Sequence, residues 1–135
     1  MPLQQSVNRE PDYSDLDLDF FRHPTTNDVT RKVGTEAVKR AVRNLIFTNF
    51  YDRPFQSYIG SDVRALLFEN ADPFTAVRLK QAIESCLANF ESRISVQNVV
   101  VTEDIDSHAY NVRLEYVILN KELPVVQTIF LERIR

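Results

Sequence analysis

Apolar residues along this chain keep two different periods, and the switch between them divides it. Leu79, Ile83, Cys86, Leu87 and Phe90 fall at offsets 0, 4, 7, 8 and 11, one face of a three-turn helix. Asp72 and Pro73 start that helix, as an acidic cap followed by proline at the first helical position. Upstream, Ala37, Val38, Ala41, Val42, Leu45 and Ile46 make a second helical stripe over residues 35–48. Thr35 is its expected cap, and Glu36 suits the positive end of its dipole. A short helix over residues 61–69 lies between them. Ser61 is its expected cap, Val63, Leu66 and Leu67 are its stripe, and Asn70 ends it.

After the polar exit at Glu91, Ser92 and Arg93 the period becomes two. Residues 94–102 are β-branched and rich in valine. Tyr110, Val112, Leu114, Tyr116 and Ile118 alternate with Asn111, Arg113, Glu115, Val117 and Leu119, across a polar hairpin loop at 103–108. In the last run, 125–134, Val126, Phe130 and Ile134 fall on one side. Gln127, Ile129, Leu131 and Arg133 fall on the other, so Ile129 and Leu131 keep even the second face partly apolar. The pattern predicts a two-layer α+β domain over residues 34–135, with three helices on a three- to four-stranded, mainly antiparallel sheet. The final strand is expected at an edge. An unblunted apolar edge is an aggregation hazard unless a partner adds a strand to it.

Residues 1–33 read as an arm. Residues 1–14 are polar, contain Pro2 and Pro11, lack a period, and are expected to be flexible. Residues 15–21 alternate, which predicts a half-exposed strand with Leu16, Leu18 and Phe20 on one side and a solvated face of Asp15, Asp17 and Asp19 on the other. The aspartate spacing invites a calcium loop, but such a loop needs glycine sixth and glutamate twelfth, where this chain has Phe20 and Thr26. The polar connector 22–34 contains Pro24. Lys39, Arg40 and Arg43 form the wet face of the first helix, or a docking face for an acidic partner. The loop at 49–60 carries Phe50, Tyr51, Phe55 and Tyr58, which either fold back over the helices or present a docking surface.

Composition narrows the function. The net charge of -3 argues against a nucleic-acid-binding module. Two glycines, Gly34 and Gly60, are too few for a phosphate cradle or a dinucleotide fold. The lone Cys86 cannot make an intramolecular disulfide and reads as a small core residue. The first residues lack an apolar signal region and no run has the length of a membrane span, which predicts cytoplasmic synthesis and no membrane partner. His23 and His108 stand in no metal-ligand spacing, no nucleophile elbow is present, and nothing around Glu69, Glu84, Glu91 or Asp104 suggests a sugar cleft. The expectation is a protein without cofactor, metal or catalysis.

Several separated segments, in order, resemble the small baseplate wedge proteins of contractile phage tails, the sheath-initiator family, which has a counterpart in type VI secretion baseplates. They are Tyr13-Ser14-Asp15-Leu16-Asp17, Arg53-Pro54-Phe55, Gly60-Ser61-Asp62-Val63, Leu67-Phe68-Glu69-Asn70, Phe74-Thr75-Ala76 and Phe90-Glu91-Ser92-Arg93-Ile94. The family signature at the helix exit is Glu-Pro-Arg, and here Ser92 takes the place of the proline. The resemblance implies a structural component of the virion baseplate, assembled in the host cytoplasm. It implies that Glu91, Ser92 and Arg93 dock on the wedge core bundle. It also implies a sheet similar to the sheath handshake domain, to which sheath arms add strands along Val125, Gln127, Ile129, Leu131 and Arg133. Partners would be other wedge proteins and the sheath protein, with tube or hub proteins as further candidates, and neither nucleic acid nor membrane. A type VI baseplate subunit and a tail-associated cell-wall hydrolase are the alternatives. Some family members have carried a lysozyme label, which this sequence does not support.

Overall fold

The computed structural model describes residues 12–134. The flexible-arm reading of residues 1–14 lies outside the described residues up to residue 11, and beyond it the reading fails, since Tyr13 packs against the core and Ser14 already belongs to a strand. β3 (Ile94–Asp104), β4 (Ala109–Ile118) and β5 (Pro124–Glu132) form an antiparallel sheet in the order β3-β4-β5. Tyr110, Val112, Leu114, Tyr116 and Ile118 of the central strand are all fully buried, as their strict alternation requires. They meet a helix layer built from α1 (Thr35–Phe47), α2 (Val63–Leu66) and α3 (Pro73–Phe90). The two predicted stripes supply that layer: Val38, Val42, Leu45 and Ile46 from α1, and Leu79, Ile83, Cys86 and Leu87 from α3. Burying each such side chain contributes about 1.5–3 kcal/mol. The result is the expected two-layer α+β arrangement, with three strands in the main sheet.

Local signals succeed where the capping partner is close in sequence. Asp72 accepts a hydrogen bond from the Thr75 N–H at 2.7 Å, and Pro73 opens α3. The two hydroxyl caps fail, because tertiary partners take both groups. Thr35 is the first residue of α1 behind Gly34, and its hydroxyl accepts from Lys121 Nζ at 3.1 Å. Ser61 precedes the Asp62 cap position, and its hydroxyl donates to the carbonyl of Ile46 at 2.8 Å. α2 is shorter than the predicted segment. Beyond Leu66 the chain stays coiled to Glu69 through tighter bonds, Phe68 N–H to Ala65 and Glu69 N–H to Leu66.

Ser61 also closes the aromatic loop, by a bridge to Asn49. The chain passes itself so closely there that a Cβ on Gly60 would lie 2.6 Å from the Asn49 carbonyl carbon. That contact requires glycine.

Two face assignments reverse. In β5, Ile129 and Leu131 are buried whereas Val126 and Phe130 are about half exposed, so the core face is the one read as secondary. In the arm, β1 (Ser14–Leu16) pairs antiparallel with β2 (Arg31–Val33), and Asp17 turns inward, with Asp15 half-buried and Asp19 at the surface. Asp17 is buried, while Leu16, Leu18 and Phe20 are exposed. The reason is electrostatic. Asp17 accepts from the Asp19 N–H at 3.2 Å and the Thr30 hydroxyl at 2.9 Å, and it faces Lys32 Nζ at 3.5 Å and Arg40 Nη2 at 3.9 Å. Asp19 pairs with the same Arg40. Burial pushes the Asp17 carboxyl up, but these hydrogen bonds and Lys32 outweigh it and hold it below the usual carboxylate range.

Two outcomes follow from this packing. Gly60→Ala is expected to destabilise the protein by about 1–3 kcal/mol, through the overlap with Asn49, as read from denaturant unfolding. The lowered Asp17 value means that this group stabilises the arm above about pH 4, and that the effect is lost as pH falls through the lower folded value. Protection of the residue 29–33 amides against hydrogen exchange, relative to the intrinsic rate at each pH, should therefore fall in acid. Asp17→Asn should show low protection already at neutral pH, and an unchanged pH profile of protection in that variant would show that another group controls the arm.

Candidate functional site

The exit of α3 is built from three charged residues drawn from two distant parts of the chain. Glu91 caps the helix with an extended backbone (φ -117, ψ 90), and its N–H still donates to Leu87. Its carboxylate folds over the following turn. Arg93 donates to it through Nε at 2.8 Å and Nη2 at 3.0 Å, a two-pronged pair. Nη1 of Arg93 reaches both carboxylate oxygens of Asp15 at 3.0 Å. The guanidinium also lies 5.5 Å from the centre of the Tyr13 ring. Every guanidinium nitrogen is thus engaged within the chain. Glu91 and then Asp15 raise the Arg93 value against the opposing effect of partial burial. Removing one member of a fully buried pair costs about 3–5 kcal/mol, and Arg93, with 21% of its side chain exposed, falls at or below the low end of that range.

The structure therefore brings Glu91 and Arg93 together but turns them toward each other and toward the arm. Of the three predicted docking residues, Ser92 is the exposed one. Its N–H has no hydrogen-bond partner among the described residues. A proline there would forfeit no bond, and the extended Glu91 already has the backbone that precedes proline. Around this turn lies a groove of about 780 Å³ between the arm and the helices, whose walls include Leu16, Leu18, Arg53, Tyr58 and Phe90. The aromatic loop divides between the two readings: Tyr51 and Phe55 are exposed, whereas Phe50 is half-buried and the Tyr58 ring lies 6.4 Å from that of Phe90 on α3. Arg40, read from the sequence as part of a wet or docking face, instead pairs with the chain's own Asp19, and Lys32 and Thr30, which also orient the arm, carry no signal of their own in the sequence. The matching signal was the pairing of an aspartate alternation with a basic helix face.

The second surface is the edge of β5. Pairing in the β4–β5 ladder is regular, with Ala109 opposite Glu132 and Val117 opposite Pro124. Its phase follows from one bond just past the strand, the Arg133 N–H donating to His108 O at 3.0 Å. Hydrogen-bonded pairs recur every second residue. Leu131, Ile129, Gln127 and Val125 therefore bond to β4, and Glu132, Phe130, Thr128 and Val126 turn their N–H and C=O groups to the open side. The other ladder agrees: Leu119 N–H donates to Arg93 O, which leaves the odd residues of β4 for β3 and the even ones for β5. The predicted strand-addition set thus divides into roles other than those assigned. Val125, Gln127, Ile129, Leu131 and Arg133 direct their backbone groups to β4. Ile129 and Leu131 are core, and Gln127 joins Tyr116 Oη and the carbonyl of Lys39. The opposite edge, on β3, is broken by a register shift between Val96 and Asn98.

Remaining candidates for chemistry are occupied structurally. Cys86 is buried between α3 and the Leu45 carbonyl, and burial pushes its thiol up to about 11. His23 Nδ1 accepts the N–H groups of Thr25 and Thr26. Asp15, Asp17 and Asp19 face cations of the chain itself.

A family model described as baseplate wedge protein gp25 matches residues 32–122. The baseplate wedge protein gp25 of Enterobacteria phage T4 is 32% identical over 108 residues, spanning 80% of this chain and 81% of that protein. Among solved structures, a chain of the anti-feeding prophage baseplate superposes with a TM-score of 0.64 at 18% identity, covering 92% of this chain and 88% of that one. A putative tail lysozyme from Geobacter sulfurreducens gives 0.61 at 17% identity, covering 72% and 90%. Those two likenesses concern the fold alone. From β2 through the end of β4, in sequence as in architecture, this chain belongs to the baseplate wedge protein gp25 family.

Proposed function

We propose that this baseplate wedge component joins its neighbours through two surfaces, docking on other wedge proteins at the α3 exit and accepting a strand of the sheath protein along β5. Its place is the tail baseplate of a contractile system. The phage relative at 32% identity favours a phage tail over a type VI secretion baseplate. The role is structural rather than catalytic: the one thiol is buried and the acidic clusters are neutralised by neighbouring cations.

One observation carries the strand-addition half. The continuous open edge of the sheet belongs to β5, with the backbone groups of Val126, Thr128, Phe130 and Glu132 directed away from β4. Open edges recruit strands. For the docking half, the Glu91–Arg93–Asp15 network fixes the turn and the arm, so Ser92 and the outward Leu16 and Leu18 offer the contact.

Thr128→Pro tests the first half cleanly. It deletes an N–H that β4 does not use, at an edge position where proline is tolerated. The variant is expected to fold, by circular dichroism, and to assemble into baseplates that no longer initiate sheath. Normal sheath growth from it would reject strand addition at β5. Ser92→Tyr tests the second half by placing bulk on the exposed turn. Unchanged thermal stability with loss of co-purification with wedge proteins is expected, and retained assembly would move the docking site elsewhere.

A further inference from the structure

The open edge of β5 is bounded at both ends. Ile134, the next outward-facing residue after Glu132, already donates its N–H to Leu67 O at 3.2 Å, and Arg133 Nη2 donates to Glu69 O at 3.1 Å. The turn after α2 thus stops the edge. At the other end the outward position is Pro124, which has no N–H to give. Between them lie four outward residues, Val126 to Glu132, room for about seven residues of added strand at ~3.4 Å per residue.

Beside the Glu132 half of this edge runs a groove of about 360 Å³ between the end of α1, α2 and β5. Its walls include Ile46, Phe47, Val63, Leu67, Phe130 and Ile134. In a strand added to β5, alternate side chains point toward the helix layer or away from it. Those that lie opposite Ile129 and Leu131 point toward the helices, because Ile129 and Leu131 do. Such a side chain would be directed at the helix layer that walls the groove. Its walls are mostly apolar, with the exposed Arg64 and Glu132 also lining it, so a large apolar side chain seated there covers Phe47 from water while the charged groups stay solvated. A second copy of this chain is the poorer occupant. Pairing β5 with β5 would bring the copy's own α1 and α2 against the same groove.

We infer that the β5 edge is a bounded slot for one short strand of a different polypeptide, with a large apolar side chain on the helix-facing side of that strand seated against Phe47 and Leu67. This rests on the strand-addition reading and adds the chemistry and length of the segment that can bind.

Sheath initiation on assembled baseplates, with the cognate sheath protein as probe, tests it. Phe47 is 46% exposed, so Phe47→Glu is expected to fold. It should lower the fraction of sheathed baseplates at least tenfold, and Phe47→Leu should restore it. Phe47→Gln replaces the glutamate if circular dichroism shows unfolding. Full initiation by Phe47→Glu, while Thr128→Pro remains blocked, would overturn the groove assignment and leave strand addition standing. Initiation by both would overturn the reading beneath it. A dimer of the isolated protein at sedimentation equilibrium, lost in Thr128→Pro, would assign the slot to a second copy and overturn the inference.

Discussion

Everything in this fold is referred to β4, and one constraint does most of the work: in an antiparallel strand the side-chain face and the direction of the backbone bonds alternate with the same period. The even residues of β4 bury their side chains under the helices and bond to β5, and the odd ones turn outward and bond to β3. Once Tyr110 to Ile118 face the core, that period sets which residues of β5 are buried. It also sets which of them offer backbone groups to the open side. The core and the open edge are therefore one choice. A shift of β5 by one residue would bury Phe130, expose Leu131 and swap the groups at the edge.

A second, weaker constraint attaches the arm. Asp15, Asp17 and Asp19 each meet a cation from the body or from the returning strand of the arm: Arg93, Lys32 and Arg40. Burial works against such carboxylates, and the arm stays down because the hydrogen bonds outnumber that cost at Asp17. Its consequence is counterintuitive for an apolar-polar alternation. Asp17 faces inward and Leu16 and Leu18 face water, so an electrostatic contact displays a hydrophobic surface.

These two constraints mark what the chain discloses by itself. α3 was legible because Asp72, Pro73 and the stripe from Leu79 to Phe90 are local, and β4 was legible because one of its faces is wholly apolar. β5 was not, since Val126 and Phe130 compete with Ile129 and Leu131, and only pairing with β4 decides between them. The arm shows the same ambiguity more sharply. Alternation gives a period but no sign, and the sign depends on Arg93, 78 positions from Asp15. Thr35 and Ser61 were read as caps for want of a view of Lys121 and the Ile46 carbonyl. At the α3 exit the charges of Glu91 and Arg93 stand out in the sequence, but their engagement with each other and with Asp15 depends on the distant arm.

The two surfaces share α1. Arg40 on its outer face holds Asp17 and Asp19 of the arm, and Ile46 and Phe47 in its last turn wall the groove beside β5. Phe47 lies seven positions after Arg40, about 10 Å along a helix. Between them Val42 and Leu45 are buried in the core, and just before Arg40 the Lys39 carbonyl is tied to Gln127 of β5. A helix pinned at that many points transmits position rather than motion. On the two-surface proposal, the spacing between a partner on the arm and a strand on β5 would then be set by the fold itself, as holding one assembly in register with another requires.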